Sequence, residues 1–320
     1  MTIPGFNPIT LKIPAKLNLY LHAGALRKDG YHDVTMVYQA ISLYDTMTIS
    51  SSIEPHTDFT MAVTGIDSDR IPVDARNLVI KAAKRLAGHI GITNATLHFD
   101  LVKSIPTEAG LGGGSADAAA ALIGCNYLWN TGLNETQLME IGAQIGEDVP
   151  FFIRGLVGIG TGYRRPVVPV DVDPKSMRTW YWVLGIMPRG LSTKLVFEKS
   201  DEFIDRRVRR GEVISSQSEQ LAKCLKVDWG NTPFQLLVPE LANNLQEVAE
   251  ELDPDIEVAL QAGREAGVIV SLMAGTGTTC LFLAMDEGHA EALVGALTER
   301  GIFRRVVRAV GPVEGVRIIR

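Results

Sequence analysis

The run Ile105-Pro106-Thr107-Glu108-Ala109-Gly110-Leu111-Gly112-Gly113-Gly114-Ser115-Ala116-Asp117 constrains this chain more than any other stretch. Four of the five residues from Gly110 to Gly114 lack a Cβ. Such a run costs chain entropy and packs nothing, so it needs a reason. Its flanks suggest one. Ala95 to Val102 alternates as a strand does, with Leu97, Phe99 and Leu101 on one face. After the glycines, Ser115 suits an N-cap, and Ala118 to Leu122 is strong helix former. Strand, glycine loop and helix start together make an anion site, where bare N–H groups converge and the helix dipole favours negative charge. The alternative is a flexible turn that binds nothing.

Two familiar phosphate loops are excluded by spacing. No Lys follows the glycines, as a Walker loop requires. Gly110, Gly112 and Gly113 do not fit the G-x-G-x-x-G of a dinucleotide turn.

Length and charge narrow the rest. The 320 residues suffice for two domains, and 46% hydrophobic with 21% charged residues suits an ordinary globular core. A net charge of −6 argues against a nucleic-acid surface but not against an anionic small substrate. The one basic cluster, Arg206, Arg207, Arg209 and Arg210, is flanked by Glu202, Asp205 and Glu212 and reads as a solvated helix face. Cys125, Cys224 and Cys280 lie far apart without a C-x-x-C, so neither zinc nor a disulfide framework is supported and a reducing cytoplasm is expected. The first residues lack the basic and apolar regions of a signal peptide. Ala266 to Met285 carries no charge, yet its glycines and threonines divide it into two short strands, Val268–Met273 and Cys280–Ala284, rather than a membrane helix.

Along the first half, strands are expected at Ile9–Ile13, Leu17–Leu21, Val34–Ser50 and Asp58–Val63, then a helix over Arg76–His89. A helix to about Trp129 follows the glycine loop, then another from Asn134 to Gln144 and a turn at Gly146 entering a short buried segment. Strands at Leu156–Thr161 and Arg165–Val170 precede a polar, proline-bearing candidate boundary at 171–175. Beyond it come a strand at Thr179–Met187, a helix capped by Ser192 or Thr193, and helices at Leu241–Leu252 and Ile256–Ala266. The two short strands, a helix over Glu287–Arg300 and a last strand near Arg304–Val310 complete an α+β, ferredoxin-like order.

Three further stretches can carry chemistry. Lys16 and Asn18 stand two apart on a strand and so share a face, either of a cleft or of a solvated strand end. Arg27 to His32 is a polar loop between strands. Asp148 precedes the buried run Val149-Pro150-Phe151-Phe152, as a structural turn acid or as a partly desolvated, orientable carboxylate.

The order Pro-x-x-x-Gly-Leu-Gly-Gly-Gly-Ser resembles the nucleotide loop of the GHMP kinases, the galactose, homoserine, mevalonate and phosphomevalonate kinase superfamily. P-A-K-L-N-L from Pro14, R-x-D-G-Y-H from Arg27 and G-x-D-V-P-F from Gly146 are similar, in that order, to one branch of it. That branch phosphorylates the 2-hydroxyl of 4-diphosphocytidyl-2-C-methyl-D-erythritol in the non-mevalonate route to isoprenoids. The resemblance covers Pro14 to about Ala284. It implies a two-domain α+β fold: an N-terminal ribosomal-protein-S5-domain-2-like nucleotide domain over residues 1–172, a C-terminal ferredoxin-like domain over 173–320, and an active site between them.

It also implies roles. Lys16 and Asp148 would be catalytic, Asp148 taking the hydroxyl proton or orienting the hydroxyl. ATP would lie on Asn77, Leu78 and Lys103 at the adenine and on Pro106, Thr107, Glu108, Ala109, Gly110, Leu111, Gly112, Gly113, Gly114, Ser115 and Ala116 at the phosphates. The substrate would touch Asn18, with Tyr31 stacking on cytosine and His32 bonding its edge. Thr193 and Phe197 would supply a polar contact and a second aromatic wall, and Gly275 and Gly277 a third glycine motif. Mg²⁺ is expected with ATP, without a dedicated protein cage. A cytoplasmic monomer or weak homodimer, with no nucleic-acid or membrane partner, completes the expectation.

Four residues depart from the branch pattern: Ala274 for Ser, Asn244 for Asp, Glu108 beside the glycines, expected outward or near Mg²⁺, and Glu147. Ala274 and Asn244 keep open a non-catalytic nucleotide-binding homologue; a GHMP kinase for another small alcohol would explain the glycine loop and Asp148 but leaves D-G-Y-H without a role.

Overall fold

A long hairpin, β1 (Ile9–Leu26) and β2 (His32–Ser51), forms the spine of the first half. The computed structural model describes residues 7–51, 59–93, 96–162, 166–170, 177–210, 227–228 and 234–320. The expected boundary at 171–175, Cys224, Glu212 and the first six residues lie outside them, as do Asp58, Ala95 and Arg165, the expected starts of three strands.

After β2 come β3 (Phe59–Gly65), α1 (Leu78–Ile90), β4 (Leu97–Lys103), α2 (Gly113–Leu128), α3 (Glu135–Ala143), α4 (Val149–Arg154), β5 (Val157–Gly162) and β6 (Val168–Pro169). The remainder holds β7 (Trp180–Ile186), α5 (Thr193–Arg209), α6 (Phe234–Leu237), β8 (Ala242–Asn243), α7 (Gln246–Leu252) and α8 (Asp255–Glu265). It closes with β9 (Val270–Met273), β10 (Thr279–Ala284), α9 (Glu287–Glu299), β11 (Arg305–Gly311) and β12 (Arg317–Ile318).

The first sheet has the order β12-β1-β2-β4-β3, with β5 and then β6 extending from β2 and β8 lying parallel to β1. β8 and β12 thus join this sheet from beyond residue 172. The second sheet, β11-β7-β10-β9, is antiparallel throughout, with its last strand beside its first, as in a ferredoxin-like unit. Three apolar clusters stack the layers. Helices α1 and α2 cover one face of the first sheet, the second sheet covers part of the other, and α7, α8 and α9 cover the far face of the second. Trp182 Nε1 crosses between sheets to donate to Gln39 Oε1 at 2.8 Å.

One irregularity in β1 matters most. Two separate strands were expected on either side of Pro14, but the strand runs through it with a register shift between Pro14 and Ala15. Ile9, Leu11 and Ile13 face α1 and α2, whereas Ala15, Leu17 and Leu19 face the second sheet. A slip in register turns every following side chain over. Lys16 and Asn18 are thereby delivered to the α2 face.

Two local expectations are corrected and one is completed. Ser115 is not the N-cap of α2. Gly112 is, at φ 73°, and Ser115 lies inside the first turn. The segment after Asp148 is buried, as expected, and forms a helix with Pro150 in its first turn, where a missing N–H costs nothing. Leu241–Leu252 is not one helix: Ala242 and Asn243 pair with Tyr20 and Leu21, and the helix starts only at Gln246. The cause is side-chain competition for backbone. Asn244 Nδ2 donates to the Ala23 carbonyl at 2.9 Å while its Oδ1 accepts from Ala23 N at 2.8 Å. The uncharged stretch after Ala266 forms the β9–β10 hairpin, pairing Met273 with Cys280.

Candidate active site

The glycine loop is held by close approach. A Cβ on Gly112 would stand 2.7 Å from the Phe152 ring and 3.0 Å from Lys16 Cγ, and one on Gly277 would stand 2.6 Å from Gly110 N. Gly110, Gly112 and Gly275 have φ of 77°, 73° and 57°, the left-handed region where side chains are strained. The turn from the second half therefore locks against the loop from the first. Lys16 N also donates to the Leu111 carbonyl at 3.0 Å. Between Leu78 and the stretch from Pro106 to Ser115 lies a cleft of about 340 Å³. Its wall is backbone at the start of α2, which suits phosphate oxygens.

Beside it, four side chains from three elements converge. Lys16 Nζ donates to Asn18 Oδ1 at 2.8 Å and lies 4.4 Å over the Tyr38 ring. Tyr38 Oη donates to Asp148 Oδ1 at 2.9 Å. Burial pushes the Lys16 ammonium below the usual lysine range, and Asp148 opposes that shift. Asn18 is fully buried, and its Nδ2 has no hydrogen-bond partner. A buried donor without a partner costs stability unless a ligand satisfies it.

Beneath the loop, Lys103 is buried between two carboxylates, donating to Asp117 Oδ2 at 2.7 Å and to Asp45 Oδ2. Asp45 Oδ1 also accepts from Ser104 N and Ile105 N at 2.6 and 2.8 Å, fixing the strand end that launches the loop. Burial pushes the Asp117 carboxyl up to about 7 against the pull of Lys103. For Lys103, burial works downward, and Asp117 and Asp45 outweigh it. The expected adenine contact thus has its ammonium committed to an ion triad, although Lys103 still lines the cleft. Asn77 is also turned to structure, capping α1 by accepting from Val79 N at 2.9 Å. Ala116 faces the core, its N–H spent on the Gly112 carbonyl. Thr107 donates from N and Oγ1 to Asp67 Oδ2 at 3.2 and 3.3 Å. Glu108 points to the rim and pairs with Arg70.

A second cleft of about 380 Å³ runs along Glu108, Gly110, Gly190 to Lys194, Thr276 and Gly277. There Thr193 Oγ1 and Thr276 Oγ1 are 2.8 Å apart, joining α5 to the Gly275 turn. The Gly275 carbonyl accepts from Asn243 Nδ2 at 2.7 Å. The expected Ser at 274 is a fully buried Ala, whose carbonyl lies against Gly110. Next to the tip of the hairpin, His32 Nδ1 donates to the Gly24 carbonyl at 2.8 Å, and its ring lies 5.2 Å from that of Phe197. Its Nε2 is 3.6 Å from Asp201 Oδ2. Tyr31 stands 46% exposed at the hairpin tip.

Sequence reasoning missed Tyr38, Asp45, Asp117 and Asn243. Tyr38 fell without distinction inside the long strand expected over Val34–Ser50, and the other three declare themselves only through distant partners.

Comparison with known proteins identifies the family. The model of the GHMP kinases N terminal domain matches residues 77–156, and that of GHMP kinases C terminal matches residues 219–302. The chain is 39% identical to a 4-diphosphocytidyl-2-C-methyl-D-erythritol kinase of Salinispora tropica over 97% of this chain and 94% of that one. It is 40% identical to one of Nocardia farcinica over 98% and 97%. A crystal structure of 4-(cytidine 5'-diphospho)-2C-methyl-D-erythritol kinase superposes with a TM-score of 0.68 at 24% identity, covering 94% of this chain and 98% of that one. Homoserine kinase from Cytophaga hutchinsonii gives 0.71 at 15% identity over 98% of each chain. At such identities these two show the fold alone.

Proposed function

The chain belongs to the GHMP kinases and, within them, to the 4-diphosphocytidyl-2-C-methyl-D-erythritol kinases, and from that membership we propose the reaction it catalyses. It transfers the γ-phosphoryl group of ATP to the 2-hydroxyl of 4-diphosphocytidyl-2-C-methyl-D-erythritol, giving the 2-phosphate and ADP. The observation that carries this reading is the juxtaposition of Lys16, Asn18 and Asp148 with the glycine loop, through Gly112 and Gly275.

Phosphoryl transfer asks the protein for positioning and charge stabilisation. The backbone from Gly110 to Ser115 and the start of α2 hold the phosphates. Lys16 sits where its ammonium meets charge developing on the transferred group. The Asn18 Nδ2 donor meets the acceptor hydroxyl. Asp148 keeps one oxygen on Tyr38 and turns the other to that hydroxyl, whose proton it receives as the new O–P bond forms and the bond to ADP breaks. Mg²⁺ supplies β,γ-charge neutralisation when bound to the phosphates. Among the described residues, no group of three or more His, Cys, Asp and Glu is gathered to hold it. His32, Phe197 and Tyr31 receive the cytosine, and Thr193 the polar part of the substrate beside it.

Among the described residues no helix is long and apolar enough to cross a membrane. We assign the enzyme to the cytoplasm, acting on two small-molecule substrates. The test is ADP release with the cytidylyl substrate, compared with homoserine and mevalonate. Turnover confined to the first is expected, and equal or greater rates on either of the others would overturn the assignment.

A further inference from the structure

Tyr38 contacts both Lys16 and Asp148. Its hydroxyl donates to Asp148 Oδ1 at 2.9 Å, and its ring face lies 4.4 Å from Lys16 Nζ. Lys16 itself gives its hydrogen bond to Asn18. The two charged groups are therefore related to each other through the phenol.

The strand register puts it there. Tyr38 is the cross-strand partner of Asn18 on β1 and of Gly158 on β5. A Cβ on Gly158 would stand 2.6 Å from the Phe151 ring, and Phe151 packs edge-on to Tyr38 with centroids 5.4 Å apart. The ring is clamped and 3% exposed. Its hydroxyl also lies 3.1 Å from Met36 Sδ, a weak acceptor beside a strong one. Burial and the Asp148 carboxylate hold the phenol well above its usual range, so it stays a donor wherever the enzyme works.

We propose that Tyr38 is a positioning residue for phosphoryl transfer. Its hydroxyl fixes one oxygen of Asp148 so that the other faces the acceptor hydroxyl, while its ring seats the Lys16 ammonium by cation–π attraction. It neither gives up nor takes a proton during turnover. This inference rests on the kinase reading above and adds a residue to it.

Tyr38→Phe keeps the ring and removes the hydroxyl. In the full chain, with ATP and the cytidylyl substrate, kcat is expected to fall roughly 10- to 100-fold, the scale of one hydrogen bond to a charged group. KM for both substrates is expected to stay within about twofold, because the phenol hydroxyl is committed to Asp148 and acts through it. Tyr38→Leu, which also removes the ring, falls further. Met36→Leu removes only the weak acceptor and keeps the wild-type kcat. An unchanged kcat in Tyr38→Phe, a rise in KM for ATP matching its loss of kcat, or an equal loss in Met36→Leu would each overturn the role. Wild-type enzyme without turnover on the cytidylyl substrate overturns the underlying reading instead, and is seen before any variant is compared.

Discussion

Gly110 lies so close to Ala274 that a Cβ built on it would stand 2.3 Å from the Ala274 carbonyl oxygen. The obstacle is backbone, which cannot swing aside as a side chain can. The two residues belong to the two glycine motifs, one from each half of the chain, so the contact fixes the Gly110 loop against the Gly275 turn.

Gly110→Ala is therefore expected to act on both halves. The left-handed backbone alone costs about 1–2 kcal/mol for a residue with a Cβ, and the overlap adds to it. ATP titration should show KM raised at least about tenfold, the equivalent of about 1.4 kcal/mol, with a lowered melting temperature. Normal ATP affinity in this variant would mean the loop does not need its contact with Ala274.

Lys16 sets a pH limit. Burial holds its ammonium below the usual 10.5, so the charge is lost at lower pH than on a free lysine. A rate that needs the ammonium should fall as pH rises through a limb below 10.5. The kcat profile measures this directly, and a plateau reaching past 10.5 would contradict it. Lys16→Ala should abolish turnover while ATP binding and the melting transition persist.

How much of this was legible in the sequence depends on how far apart the interacting residues lie. The glycine loop announced itself, since nothing but close backbone approach excuses four missing Cβ atoms. Lys16 and Asn18 were legible as a pair, because the strand period is two. Which face they share was not, because it turns on a register shift at Pro14 that depends on how β2 pairs. Tyr38 was one aromatic among several in a long expected strand, and it is core apart from one hydroxyl. The start of α7 was misplaced because Leu241-Ala242-Asn243-Asn244 reads as helix locally, while the bonds that hold Asn244 in β-like pairing reach 221 residues back to Ala23.

That bond gives the Asn244 amide a structural use that an ionised acid cannot fill. Only an amide both donates to and accepts from the Ala23 backbone. Asn244→Asp should leave the Ala23 carbonyl without its donor and bring a carboxylate in its place, costing about 1–3 kcal/mol. Chemical denaturation of the variant measures it. Unchanged stability would show that the backbone pairing of β8 with β1 suffices alone.

Asp117 should make stability pH-dependent. Its carboxyl, pushed up to about 7 by burial, holds a proton in the folded state that the unfolded chain releases near the usual 3.8. The folded state then binds more protons between these values, and stability falls with rising pH there. The group's contribution is complete below the lower value and lost as pH passes through the upper. Asp117→Asn keeps the shape and cannot titrate. The stability of the variant relative to wild type should therefore rise across this window and level off above it. A constant difference from pH 4 to pH 8 would show that Asp117 is ionised throughout, held by Lys103.

Tyr31 separates recognition of the base from everything else. It stands exposed at the tip of the β1–β2 hairpin, whereas His32 beside it is already buried against Phe197. An exposed aromatic beside a half-formed aromatic wall gains most by covering a flat ring, and base–aromatic stacking is worth about 1–3 kcal/mol. Tyr31→Ala should therefore raise KM for the cytidylyl substrate by roughly 5- to 150-fold, the same energy expressed as a ratio, with KM for ATP and the melting temperature unchanged. Competition by free cytidine nucleotides should weaken in step. If KM for ATP moves with it, the hairpin tip serves the nucleotide cleft, and selectivity for cytidine must come from His32 and Phe197 alone.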